Sequence, residues 1–144
     1  MRARIDLAVE ETNTAYELSG VTTMILRLVH AYREVNYVEA STDTFLGALS
    51  AIQSTSDGNM DDVHSKRTQY GADLVAMIID DKVYCGIGYS GPSKAYMFSA
   101  TRWSCATGYY SFGHEIGHNL VRGDAGGLEA ALKMEYYSHT GTFN

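Results

Sequence analysis

A chain of 144 residues, 45% of them apolar, is long enough to form one domain around a buried core. Its net charge of −6, with no basic cluster to set against it, argues against a nucleic-acid partner. No stretch approaches the roughly 18 consecutive apolar residues of a membrane span, so no membrane-spanning helix is expected.

The first predicted element is a helix. Ile5, Ala8, Val9, Thr12, Ala15 and Tyr16 recur at helical spacing, with Asp6, Glu10, Glu11 and Glu17 mostly off that face. Gly20 is placed to end it as the residue after the C-cap. Met1–Arg4 has no apolar run behind it and does not read as a signal peptide. Residues 21–35 alternate as a long strand, which sets His30 on one face with Met24, Leu26 and Leu28 as a partly buried structural histidine. Residues 41–53 follow as a helix with Phe45, Leu46, Leu49 and Ile52 on one side. Asp57-Gly58 marks a turn, after which Asn59 can cap a helix reaching Tyr70, with His64 on its solvated surface and Gly71 beyond its end.

Residues 73–80 contain Leu74-Val75-Ala76-Met77-Ile78-Ile79, apolar on both faces as a strand covered from both sides would be. A short, glycine-broken segment at 83–89, a loop at 90–93 and a further strand at 95–101 come next. Cys85 and Cys105 show no C-x-x-C spacing; from the sequence alone they pair or stay free thiols. Four lysines beside eleven tyrosines and fourteen glycines fit an extracellular protein.

The chemistry concentrates in Gly113–Asp124, where Thr107 or Ser111 opens a helix. His114 and His118 are four residues apart and so share a helical face, from which both imidazoles can reach one metal ion. Glu115 lies beside the first of them, where a carboxylate can serve a metal-bound water as general base. Phe112, Ile116 and Leu120 form an apolar stripe that would seat the helix in a core. The pattern H-E-x-x-H therefore predicts Zn²⁺ held by His114 and His118.

Gly71-Ala72-Asp73-Leu74-Val75, Cys85-Gly86-Ile87, Ser104-Cys105-Ala106 and Tyr110-Ser111-Phe112-Gly113-His114-Glu115-Ile116-Gly117-His118-Asn119 together resemble the bacterial reprolysin-like metalloproteases of the metzincin clan. Asn13-Thr14-Ala15-Tyr16 and Ser19-Gly20-Val21 resemble the first helix and turn of that family, so the likeness covers roughly residues 3–120. The resemblance implies an α/β (α+β) fold: a twisted mixed sheet, backing helices and an active-site helix beneath a cleft. It implies a secreted zinc endopeptidase acting on peptide or protein substrates, a Cys85–Cys105 disulfide, and Glu115 as general base. If residues 95–101 form the edge of the cleft, an extended substrate can pair with them.

The chain also departs from that family. In H-E-x-x-H-x-x-G-x-x-H, the glycine position is Val121 and the third-ligand position is Asp124. Aspartate is an acceptable zinc ligand, and a snapalysin-like variant of the clan uses it there, so Asp124 is the expected third ligand, with Gly123 supplying the bend. Residues 125–137 read as a helix, from which Glu129 or Glu135 could instead complete a gluzincin-type site; His139 is a further candidate. The family's Met-turn has only Met134 to draw on. Against the family the chain reads as a truncated or divergent copy, which leaves a non-catalytic domain as the competing class.

Overall fold

The run Leu74–Ile79 is apolar at every position, and it lies where such a run must lie. As strand β2 it is buried on both faces, with Leu74, Ala76 and Ile78 entering one core and Val75, Met77 and Ile79 the other. In this computed structural model residues 2–35, 37–39, 44–80, 82–91, 93–120 and 132–138 are described, with backbone alone for 44 and 132–138. Around β2 runs a mixed sheet of five strands in the order β1-β5-β2-β4-β3. Strands β1 (Leu26–Arg33), β5 (Leu132–Ser138), β2 and β4 (Phe98–Arg102) are parallel to their neighbours, and β3 (Gly86–Gly88) closes one edge antiparallel to β4.

Helices cover both faces. On one side α1 (Arg2–Leu18) and α4 (Ser111–Leu120) bring Ile5, Ala8, Val9, Phe112 and Ile116 onto Leu26 and Leu74. On the other, α2 (Thr44–Gln53) and α3 (Val63–Tyr70) bring Phe45, Leu49, Ile52 and Val63 onto Val75, Met77, Phe98 and Ala100. The predicted inward face of α1 is the buried one, and Gly20, at φ +81°, ends that helix as expected. The Asn13 side chain then pairs with both backbone groups of Leu26, accepting from its N–H at 2.7 Å and donating to its carbonyl at 3.0 Å. That contact ties α1 to the start of β1.

Several expectations change. Residues 132–138 form a strand rather than part of a helix over 125–137, because β1 and β2 bind this backbone from both sides and tertiary pairing overrides local periodicity. Met134 accordingly sits in that strand, paired with Leu28 and Leu74, and not in a turn. Strand β1 starts at Leu26, five residues later than residue 21. Its register shifts between Leu28 and His30, which reverses the alternation. Leu28 and Ala31 therefore pack on the α1 side, while Tyr32 packs on the other, where the His30 ring stacks at 3.8 Å on Tyr70. Histidine 30 is structural, as read, but not beside Met24 and Leu26. His64 is half-buried, its Nε2 2.7 Å from the Ser54 carbonyl oxygen. Helix α3 starts at Val63, four residues after Asn59. Strand β4 is paired on both sides, so among the described residues the edge strand at that end of the sheet is β3. Among the described residues no helix is long and apolar enough to cross a membrane.

Cys85 and Cys105 are joined, closing a loop across 20 positions beside β3 and just after β4. By the loop-entropy relation such a bridge is worth about 3 kcal/mol. The variant Cys85→Ala/Cys105→Ala should unfold in urea with stability lowered by about that amount, measured against unreduced wild type. Coincident curves would show that the bridge adds nothing.

Candidate metal centre on the fourth helix

Helix α4 is wedged into the domain by contacts on both flanks. Phe112 and Ile116 enter the core, and Leu120 packs at its margin. Toward α1, Gly113 leaves no room for a side chain: a Cβ there would stand 2.9 Å from Thr12. The Tyr16 hydroxyl donates to the Gly113 carbonyl at 2.7 Å, and burial pushes its pKa up to about 12. Tyr110, just before the helix, adopts φ +56°, unusual for a residue with a Cβ, and its carbonyl accepts the His114 N–H at 2.9 Å.

On this seat the helical period separates two kinds of side chain. His114 is exposed and His118 half-buried, and their Nε2 atoms stand 3.1 Å apart with the rings nearly perpendicular. Both border a cavity of about 430 Å³ between α1 and α4, lined also by Thr12, Tyr16, Ser19 and Tyr110. Glu115, one position on, is turned toward β3 and is only 7% exposed. It lies against edge strand β3, where a Cβ on Gly86 would come within 2.5 Å of its Cγ and one on Gly88 within 2.7 Å of its carbonyl oxygen. Burial raises the Glu115 pKa above the ordinary carboxylate value, and the two neighbouring histidines pull it back in part.

The structure thus brings His114, Glu115 and His118 together on one helix. Asp124 lies outside the described residues, as do Val121, Gly123, Glu129 and His139. Among the described residues no third His, Cys, Asp or Glu joins the pair in a metal-holding group. Glu135, proposed on a helix, is instead on β5, opposite His30 and Val75 across the ladders.

Two features of the site were missed in the sequence. Gly86-Ile87-Gly88 read as a broken strand, yet glycines two apart on a strand share a face, here the one that admits Glu115. Asn119 is fully buried and donates to three main-chain carbonyls. A signal was available: position 119 falls three after Ile116 and seven after Phe112, so a polar residue stands on the apolar stripe.

The model of the reprolysin-like metallopeptidase family M12B matches residues 2–122. A peptidyl-Asp metalloendopeptidase of Stenotrophomonas maltophilia is 41% identical over 119 residues, covering 82% of this chain and 28% of the relative. The protein of that name from Xanthomonas campestris is 39% identical over 121 residues, with the same coverage of 82% and 28%. That of Pseudomonas aeruginosa is 35% identical over 162 aligned positions, which take in 98% of this chain and 25% of the relative. The chain therefore spans between a quarter and a third of the length of these relatives. No solved structure matches it.

The two glycines make unequal demands. Gly88→Ala would press a methyl group onto helix backbone and should destabilise the protein by about 1–3 kcal/mol. Gly86→Ala meets a side chain that can swing aside, and should cost less in the same urea titration. Equal losses would show that the whole helix yields in both variants.

Proposed function

The chain belongs to the M12B reprolysin-like metallopeptidase family, and from that premise we propose that it carries the metal-binding and general-base part of a zinc endopeptidase. The observation that carries this reading is the pair of imidazole nitrogens 3.1 Å apart beside a buried carboxyl group. Two nitrogens bound tetrahedrally at about 2.0–2.1 Å to one zinc ion stand about 3.3 Å apart, so the donor pair fits. His114 and His118 would hold the ion, and Asp124, six residues beyond His118, is the third ligand in this proposal. Zinc bound there would acidify a water toward a pKa of about 7 and polarise the scissile carbonyl.

The chain's own groups divide the remaining work. Glu115 takes the proton of the attacking water and returns it to the leaving nitrogen. Its burial against Gly86 supports that role, because a carboxylate with a raised pKa holds the proton more readily between the two transfers. The outer edge of β3, beside Glu115, is the backbone to which an extended peptide would add as a further strand. The relatives are peptidyl-Asp metalloendopeptidases by name, which makes aspartate-containing peptides the first substrates to try. Export to an oxidising compartment belongs to the same proposal and is supported by the Cys85–Cys105 bridge.

Purified protein should retain about one zinc ion per chain, and His118→Ala should lose it on dialysis. Glu115→Gln should keep the metal while hydrolysis falls by about 10²–10⁴-fold. Asp124→Ala should lose both zinc affinity and hydrolysis, and Asp124→His should keep the affinity. A wild-type zinc content no higher than that of His118→Ala sinks the metal site. Loss on Glu129→Ala or Glu135→Ala, with Asp124 dispensable, transfers the third ligand to a downstream glutamate. Metal retained without any peptide cleavage assigns the chain to the non-catalytic class.

A further inference from the structure

Asn119 follows the second histidine and is fully buried. Its Nδ2 donates to the carbonyls of Tyr89 at 2.8 Å, Phe98 at 3.0 Å and Tyr96 at 3.3 Å. These oxygens come from the residue after β3, the connection that follows, and the first residue of β4. An amide nitrogen carries two hydrogens, so the two shorter bonds take them and the third shares. Its Oδ1 is buried with no hydrogen-bond partner among the described residues. An apolar side chain of similar size would fill the space but would take this donor away from the Tyr89, Tyr96 and Phe98 carbonyls, so packing alone does not account for the residue. The same turn is tied a second time, by the Gly91 N–H donating to the His118 carbonyl at 3.3 Å.

Bonds at two successive residues fix both the rotation and the advance of the last turn of α4 over the β3–β4 connection. The ring that this turn carries is His118, whose Nε2 stands 3.1 Å from that of His114 and must stay near it for the two to share an ion. We infer that Asn119 is a positioning residue for the metal centre: by gathering the carbonyls of Tyr89, Tyr96 and Phe98 it holds His118 in place before any metal arrives. The inference rests on the zinc reading above. Partners that orient a ligand in this way are worth about ten- to hundredfold in metal affinity.

Cobalt(II) titration of metal-free protein, followed by its visible absorption, tests this. Asn119→Asp keeps the size but turns an acceptor toward three acceptors, and should weaken cobalt binding about ten- to hundredfold with an altered band. Asn119→Ser, a shorter donor, should fall between Asp and wild type. Ile52→Val, a core change on the opposite face of the sheet, should lower stability and leave the affinity unchanged. All titrations are run where circular dichroism shows each protein folded. Asn119 variants that bind cobalt as tightly as wild type overturn the positioning role and leave the metal reading standing; a wild type that does not bind cobalt overturns both. Independently of any variant, the Asn119 side-chain amide protons of the metal-free wild type should exchange slowly by NMR. Fast exchange would mean that the clamp is not preformed and would also overturn the inference.

Discussion

The approach of α4 to its two neighbours is the constraint on which the rest of this structure turns. A helix with ordinary side chains on every flank could not lie this close to both α1 and the sheet edge. Gly113 removes a side chain against Thr12, and Gly86 and Gly88 remove two against Glu115. With those Cβ atoms absent, dispersion contacts are made by backbone and stem atoms at short range, and the helix has little room to roll or slide. The apolar stripe Phe112, Ile116 and Leu120 gives the seat its free energy, and the glycines give it its precision.

That seat creates opposite environments from adjacent residues. An α-helix turns about 100° per residue, so His114 and His118 stay together on the side of the cavity while Glu115 is carried round against β3. The two imidazoles are left accessible from that cavity. The Glu115 carboxyl is largely excluded from water, which raises its pKa above the ordinary carboxylate value. The division follows from three positions of one helix and needs no contribution from a loop.

Much of this was legible in the sequence because it is local. The H-E-x-x-H spacing, the apolar stripe of α4, the doubly apolar β2 and the inward face of α1 each depend on one element and its period. What escaped depends on pairing between distant segments. The identity of the edge strand at that end could not be read from residues 83–101, since it depends on which of β3 and β4 is bound on its other side. The bulge in β1 put His30 on the opposite face from Leu26 and Leu28 in a run whose alternation looked unbroken. Residues 132–138 carry helical periodicity yet form a strand between β1 and β2, a placement set by two backbone ladders and by nothing local. Asp124 falls among residues whose structure is not described, and its role stays with the spacing that proposed it.

Strand β3 shows how a weak element can be made a firm wall. It has three residues, two of them glycine, and among the described residues pairs on one side only, so neither its length nor its composition would hold it extended. It is staked at both ends instead. At its start the Cys85 sulfur is bonded to Cys105, and the Cys85 carbonyl accepts the Arg102 N–H at 2.9 Å. At its end the Tyr89 N–H donates to Phe98, and the Tyr89 carbonyl receives the amide of Asn119. The covalent stake ties β3 to the segment after β4, and the polar one ties it to the helix that bears the histidines. The glycines can then be spent on closeness to Glu115, because the ends of the strand supply the rigidity that glycine removes.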